Sequence, residues 1–142
     1  MNLKDEISIT EYQTLSEFRY QLRHFLRFSE QAARAAGLEP QQHQLLLAVK
    51  GLPDGRKATI SALAERLQLE HHSTVELIDR LVERGFIQRC RDKADQRRVL
   101  VSLSPQGEEV LRNLSLAHRA ELRSTGPALV QALTLLLSNI DT

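Results

Sequence analysis

Positive charge is concentrated in one short stretch of this 142-residue chain, and clustered positive charge of this kind binds phosphate groups. The chain as a whole is nearly neutral, with 19 Lys and Arg against 18 Asp and Glu, so its total charge gives no argument about partners. Residues 84–98 hold six basic side chains and two acidic ones, a local net charge of +4: Arg84, Arg89, Arg91, Lys93, Arg97 and Arg98 against Asp92 and Asp95. We therefore expect this stretch to meet a polyanion.

The segment just before this stretch supplies polar side chains on one side of a predicted helix. The apolar side of that helix is formed by Val75, Ile78, Leu81 and Val82. The side chains left for its outer surface include His72, Ser73, Thr74, Glu76 and Arg80. Such groups can bond phosphates or the edges of bases, and the residues nearest the start of the helix are expected to do so.

Other residue types that carry chemistry are scattered. His71 and His72 are adjacent, so on a helix they point in different directions, which argues against a shared metal. Cys90 falls in a predicted strand, where a cysteine is more often an inert apolar residue. The sequence has no paired-carboxylate site and no glycine-rich phosphate loop. We therefore predict that the chain is not an enzyme and holds no metal or cofactor.

The elements that position these residues follow from the spacing of apolar side chains and from the breakers between them. Helices are predicted from Tyr12 to about Ala36, from Pro40 to Gly51, from Thr59 to Leu67, and from His72 to Gly85. The period then changes to two, which predicts strands over 86–91 and 99–103 joined by a charged loop. Ser104-Pro105 begins another helix, and Thr125-Gly126-Pro127 is expected to separate it from a last one.

Two short helices followed directly by a hairpin form a winged helix-turn-helix. The second helix of such a unit fits the major groove of duplex DNA, and an arginine at the hairpin tip can enter a narrow minor groove. We expect Arg97 to make that contact, whereas Arg98 is expected to pair with Asp92 or Asp95. A charged hairpin tip is often only a solvated turn, but the two helices that precede this one favour DNA.

Several short runs taken together resemble the MarR family of bacterial regulators. They include Leu63-Ala64, Ser73-Thr74-Val75, Ile78-Asp79-Arg80-Leu81, Arg84-Gly85-Phe86-Ile87, Asp92, Asp95-Gln96-Arg97-Arg98 and Leu103-Ser104-Pro105-Gln106-Gly107. The resemblance implies a homodimer with intertwined terminal helices, a pseudo-palindromic operator, and a minor-groove contact by Arg97. In many members it also implies control by small phenolic or other anionic ligands, or by cysteine oxidation. The first helix here has no cysteine and the chain has no Trp, so peroxide sensing and a urate effector are not transferred.

These observations predict a mainly α fold with a small β-hairpin wing, built as a single domain over residues 1–142. Dimerisation helices are expected at about 10–37 and 104–142, on either side of a winged helix-turn-helix at about 40–103, because the last helix has more apolar surface than one contact requires. A small effector would be lined by Tyr20, His24, Arg27 and His43.

The predicted function is that of a homodimeric repressor that reads double-stranded DNA. The alternative is a winged-helix module that binds proteins and no DNA. The acidic N-terminus and the lack of an apolar run of ~20 residues predict a cytoplasmic protein without a membrane partner.

Overall fold

The computed structural model describes residues 5–138 as helices with one β-hairpin. The elements in chain order are α1 (Ile9–Ala35), α2 (Pro40–Lys50), α3 (Ile60–Leu67), α4 (His71–Glu83), β1 (Ile87–Arg91), β2 (Val99–Leu103) and α5 (Pro105–Ser138). The predicted fold class is confirmed, since α3, α4 and the hairpin follow one another as a winged helix-turn-helix requires.

Short polar signals set the ends of the helices. The Thr59 hydroxyl accepts a hydrogen bond from the backbone N–H of Ala62 at 3.1 Å, which caps α3 at the residue where the helix is predicted to begin. The Ser104 hydroxyl does the same for α5 by accepting from the N–H of Gly107 at 3.1 Å. These bonds satisfy N–H groups that the first turn of a helix leaves without a partner.

Two glycines fix how the chain enters and leaves the hairpin. Gly85 ends α4 with a φ of +80°, a left-handed conformation that favours glycine. Gly107 lies in the first turn of α5, directly against the backbone of Phe86, and a Cβ at this position would overlap the Phe86 carbonyl. The first turn of α5 can therefore pack against the Phe86 backbone, just after α4, only because residue 107 has no side chain.

The chain divides into two compact units, and residues 32–115 form the one that carries the hairpin, here called the winged unit. Its core gathers buried apolar side chains from every element of the unit: Ala33, Leu38, Leu45, Leu46, Leu63, Leu77, Ile78, Leu81, Phe86, Ile87, Val101, Leu111 and Leu114. Burial of this apolar surface holds the short helices α3 and α4 in place, because helices of this length are marginal alone. The expectation of a single domain over the whole chain stays a prediction.

The hairpin is extended by the loop in front of α3. β1 and β2 are antiparallel, with Arg89 opposite Val101. Thr59 forms a bridge with Leu100, and the N–H of Val101 donates to the Ala58 carbonyl at 3.0 Å. The wing is thus fixed on one side by backbone bonds, whereas a free two-stranded ribbon would be marginally stable.

One predicted break is absent. The sequence predicts an interruption at Thr125-Gly126-Pro127, but α5 runs through these residues to Ser138. A proline inside a helix costs roughly 3 kcal/mol because it removes one backbone hydrogen bond and crowds the preceding turn. α5 has 34 residues, and its bonds on both sides of Pro127 outweigh that cost. The prediction of two separate C-terminal helices is therefore wrong.

The other unit, here called the helical unit, takes in the described residues up to Gln31 and from Leu116 onward. In it, His118 Nε2 lies 2.7 Å from the Ser29 hydroxyl, and the imidazole meets the rings of Phe25 and Phe28 edge to face. Many large apolar side chains of this unit remain exposed: Tyr12, Leu15, Tyr20, Leu26, Leu116, Leu122, Val130, Leu133, Leu135 and Leu137. Within residues 5–138, none of the helices combines the length and the apolar character needed to cross a bilayer.

Candidate nucleic-acid interface

Helix α4 turns a polar side to solvent. His72, Glu76 and Arg80 are exposed, and Ser73 is half-buried. The Nδ1 atom of His72 lies 3.4 Å from a carboxylate oxygen of Glu70, the residue that precedes the helix. Four of the five predicted contact residues of this helix therefore keep at least part of their surface available to a ligand.

Thr74 is a correction to the predicted contact set. Its side chain is fully buried, with a relative exposure of 0%, and its hydroxyl donates to the Glu70 carbonyl at 2.9 Å. The buried side of α4 is formed by Thr74, Leu77, Ile78 and Leu81. Threonine can occupy such a position because its methyl group packs with the apolar residues while the backbone satisfies its hydroxyl. The prediction that Thr74 faces a ligand is wrong.

Three of the six basic residues in the stretch 84–98 lie away from the hairpin tip and are held by contacts within the winged unit. Arg89 on β1 forms an ion pair with Asp79, which joins the hairpin to the exposed side of α4. Arg91 Nη1 donates to the Gln96 carbonyl at 2.7 Å and braces the hairpin loop. Arg84 is bonded to Gln42 and to the Gly37 carbonyl. Lys93, Arg97 and Arg98 are therefore the basic side chains left at the tip of the hairpin.

Arg84 joins three parts of the winged unit. Its Nη1 donates to Gln42 Oε1 at 3.0 Å and its Nη2 donates to the Gly37 carbonyl at 2.7 Å. Its guanidinium also lies over the Phe86 ring, 5.0 Å from the centroid. The forked shape of arginine allows all three contacts at once. No local sequence pattern predicts the Arg84–Gln42 contact, because the two residues are far apart along the chain.

At the tip of the wing, Arg97 extends into solvent. Its side chain is 92% exposed, and its Nε lies 3.2 Å from Asp95 Oδ1. An ion pair this exposed contributes little energy, so Arg97 can leave Asp95 and bind another anion at small cost. Lys93 and Arg98 are also exposed. The tip therefore offers cations to a partner, as the sequence suggests.

The expected tie of Arg98 to an acidic residue is confirmed in part, because, after the Lys57 hydrogen bond as the main cause, the charge of Arg98 contributes to the lowered pKa of Asp92. The Arg98 backbone is bonded to both acidic residues, since its N–H donates to the Asp95 carbonyl and its carbonyl accepts from the Asp92 N–H, each at 3.0 Å. Its side chain, however, forms no ion pair with either carboxylate among residues 5–138. Asp95 is paired with Arg97 instead, and Asp92 with Lys57.

Asp92 is the buried anchor of the hairpin loop, and sequence reasoning gave it no partner outside the hairpin. Lys57 Nζ lies 2.9 and 3.1 Å from the two carboxylate oxygens, and the Ala94 N–H donates to Oδ1 at 2.9 Å. These two donors, with the Lys57 hydrogen bond as the larger cause, lower the pKa of Asp92 below its ordinary value. The carboxylate therefore stays charged and holds the wing against the loop before α3.

The four residues predicted to line an effector site fall into different units. Tyr20, His24 and Arg27 are exposed on α1 in the helical unit, and the rings of Tyr20 and His24 lie 6.4 Å apart between centroids. His43 is on α2 in the winged unit, where it is buried with a relative exposure of 3%. Its Nδ1 lies 3.4 Å from Gln44 Nε2. The structure thus brings Tyr20 and His24 together on one helix.

Comparison with known proteins finds similarity within the winged unit. Residues 36–98 match a family model described as the MarR family. An uncharacterized HTH-type transcriptional regulator of Bacillus subtilis (strain 168), YsmB, is 32% identical over 65 residues, which are 46% of this chain and 44% of that protein. The match thus spans less than half of the length of this relative.

Solved structures share the fold over nearly the whole chain. AbsC, a MarR family transcriptional regulator from Streptomyces coelicolor, is 20% identical with a TM-score of 0.73, and the match covers 95% of this chain and 92% of AbsC. BpsR of Bordetella bronchiseptica, whose structure concerns the regulation of its DNA binding by 6-hydroxynicotinic acid, is 22% identical with a TM-score of 0.64. That match covers 92% of this chain and 99% of BpsR. At these identities the likeness establishes the fold.

Proposed function

We propose that this chain is a transcriptional repressor of the MarR family that binds double-stranded DNA as a homodimer, because residues 36–98 match the model of that family and the chain shares the fold of AbsC. Such a protein acts where bacterial DNA lies, in the cytoplasm. The winged unit would make the contacts with DNA, and the helical unit would join the two copies.

The observation that carries the proposal is the pairing of an exposed polar side on α4 with a cationic hairpin tip on the next element. A helix of this size fits the major groove, where base pairs differ in their donors and acceptors. His72, Ser73, Glu76 and Arg80 would lie there, and the Glu76 carboxylate can accept from a cytosine amino group. Arg97 would enter the neighbouring minor groove, and Lys93 and Arg98 would meet phosphates.

Exposed apolar side chains on α1 and α5 support the homodimer. Leu135 and Leu137 are 49% and 57% exposed near the end of α5, and Val130 is 64% exposed. Apolar surface of this kind is covered when two copies associate about a two-fold axis. Two recognition helices would then meet successive major grooves about 34 Å apart, and the operator would be a pseudo-palindrome.

A small anionic or phenolic effector is part of the proposal. Tyr20, His24 and Arg27 are exposed on α1 and supply aromatic surface, an imidazole and a cation for a ligand of that kind. The structure of BpsR, which concerns control of DNA binding by an aromatic acid, is a precedent within this fold. Calorimetric titration with a panel of aromatic acids, repeated with Arg27→Ala, tests these residues without using DNA.

The decisive experiment is a binding assay with a pool of random duplexes at several salt concentrations. Retention that falls steeply with salt, followed by enrichment of a two-fold symmetric sequence, is the expected result. Light scattering of the free protein should give twice the monomer mass. A protein that retains no duplex, even at low salt, would instead be the winged-helix interaction module considered from the sequence.

A further inference from the structure

Two open hollows adjoin at the base of the wing. One has a volume of about 340 Å³ and lies against the loop before α3, and the other, of about 280 Å³, lies against the start of β2. Three residues line both hollows: Thr59, Ser61 and Arg98. The ridge between them, here called the Ser61–Arg98 ledge, thus presents one hydroxyl-bearing segment of α3 beside one cation of the wing.

The charges around the ledge single out Arg98. Four cations lie in this part of the winged unit, and three are already paired: Arg56 with Glu65 at 3.2 Å, Lys57 with Asp92 at 2.9 Å, and Arg97 with Asp95 at 3.2 Å. In the described part of the chain the Arg98 guanidinium forms no hydrogen bond or ion pair. Lys57 holds the Asp92 carboxylate directly and is the main cause of its lowered pKa, and Arg98 is near enough to contribute to that lowering. The four cations face three carboxylates, so one net positive charge remains for an anion at this place.

Of the two hydroxyl groups at the ledge, that of Thr59 has a hydrogen-bond partner within the described residues and that of Ser61 has none. The Thr59 hydroxyl already accepts from the Ala62 N–H as the cap of α3. Ser61 is exposed, and its hydroxyl has no partner among residues 5–138. It can therefore donate to an oxygen of a ligand without breaking a bond in the protein.

Backbone bonds hold the two residues in register. Thr59 is bridged to Leu100, and the Val101 N–H donates to the Ala58 carbonyl at 3.0 Å, so the start of α3 is fixed beside the start of β2. The Lys57–Asp92 pair closes the same junction from the other end of the hairpin loop. A ligand bound here would meet donors that are positioned in advance, which lowers the entropy lost on binding.

We propose that the Ser61–Arg98 ledge binds one phosphate of the DNA backbone, with Arg98 supplying the charge and Ser61 a hydroxyl donor. The inference rests on the proposed function, and it adds a contact from α3, the first helix of the helix-turn-helix. Phosphate contacts set the register of a protein on duplex without reading sequence. The ledge therefore anchors the winged unit, whereas α4 supplies the preference for particular bases.

Affinity measurements on variants of the full chain test the ledge. Arg98→Ala is expected to weaken binding to every duplex about tenfold and to reduce the slope of log K against log salt by about 0.9, the value for one phosphate contact. Ser61→Ala removes one hydrogen bond to a charged group and is expected to cost about tenfold. Ser61→Glu should weaken binding further, because it places a carboxylate against the phosphate.

The controls are Arg66→Ala, which removes an exposed arginine of α3, and Gln41→Glu, which adds a carboxylate at an exposed position in the first turn of α2. They should bind as wild type does, and thermal melting shows that each variant is folded. Ethylation of single phosphates should identify one position that weakens wild type and no longer affects Arg98→Ala.

The possible failures can be told apart. A wild-type protein that binds no duplex overturns the proposed function and the ledge together. A wild-type protein that binds while Arg98→Ala and Ser61→Glu match it in affinity and salt slope overturns the ledge alone. Loss of binding by Arg98→Ala to one sequence only would make Arg98 a base-reading residue. Binding of inorganic phosphate at the ledge, with no effect of the variants on DNA binding, would make the ledge a site for a free anion. Both results contradict the inference.

Discussion

Lys57 Nζ lies 2.9 Å from Asp92 Oδ2, which joins the loop before α3 to the first residue after β1. The carboxylate is almost entirely buried, with 4% of its side-chain surface exposed, whereas the lysine is 46% exposed. A pair of this kind positions the wing relative to the helix-turn-helix even though neither residue belongs to the tip.

The pH dependence of unfolding tests the Lys57–Asp92 pair. The hydrogen bond from Lys57 is the main cause of the lowered pKa of Asp92, whose ordinary value is 3.8. A carboxyl whose pKa is lower in the folded than in the unfolded state stabilises the fold above the unfolded pKa, and that contribution is lost as pH falls through the folded value. Urea denaturation from about pH 7 down to about pH 2 should show a steeper acid loss for wild type than for Asp92→Asn. Asp54→Asn, at an exposed loop position, is the control. An equal dependence of the unfolding free energy on pH for wild type and Asp92→Asn would show that the pair does not contribute to acid stability.

Thr74 is predicted to affect stability and not recognition. Thr74→Val keeps the shape and removes the hydroxyl, so the free energy of unfolding should change by less than about 1 kcal/mol. Thr74→Ala also removes a buried methyl group and should cost about 1 kcal/mol more. Neither change should alter which duplex sequence is preferred, as measured by competition between two duplexes. Loss of preference with intact stability would place Thr74 at the interface after all.

The Thr74 result shows where sequence reasoning stops. Helix ends were predictable because Thr59, Gly85 and Ser104 act on backbone groups within a few residues. The rotation of α4 was not, because it depends on Leu77 and Thr74 facing the core together, and a threonine looks polar when its hydroxyl partner is not visible. The Arg84–Gln42 contact joins residues 42 positions apart, and no local signal carries information over that separation. The break predicted at Pro127 was wrong for the opposite reason. The local tendency of proline to end a helix was outweighed by the rest of α5.

Arg84 is predicted to act on the fold. Arg84→Ala removes two hydrogen bonds from a charged group and a contact with the Phe86 ring, and it should lower the free energy of unfolding by about 2 kcal/mol. Arg84→Lys keeps the charge but loses the fork, so it should be nearly as damaging. Chemical denaturation measures both, with Arg66→Ala on the exposed side of α3 as the control. A stable Arg84→Lys protein would show that charge alone suffices.

Arg97 is predicted to contribute affinity through the minor groove. Arg97→Ala should leave thermal stability unchanged, because the side chain is 92% exposed, and should weaken DNA binding while lowering the salt slope by about 0.9. Fluorescence anisotropy at several salt concentrations gives both quantities. Affinity and slope equal to those of wild type would exclude the wing tip from the interface.

The exposed apolar surface of α5 is predicted to be covered by a second copy. Val130→Glu places a charge on this surface and should shift the protein from dimer to monomer, with at least a tenfold loss of DNA affinity because two half-sites no longer bind together. Gln131→Glu adds the same charge at the next, also exposed, position. Light scattering at several concentrations separates the two variants. A Val130→Glu protein that remains dimeric would require a different surface for the contact.

The backbone bridge between Thr59 and Leu100 has a consequence for how this protein can change. The length of the segment between α2 and α3 sets where the hairpin lies, so inserting or deleting a residue there should redirect the wing as effectively as altering the hairpin. In the proposed complex with DNA, the length of this linker would therefore determine where the Arg97 tip lies relative to α4.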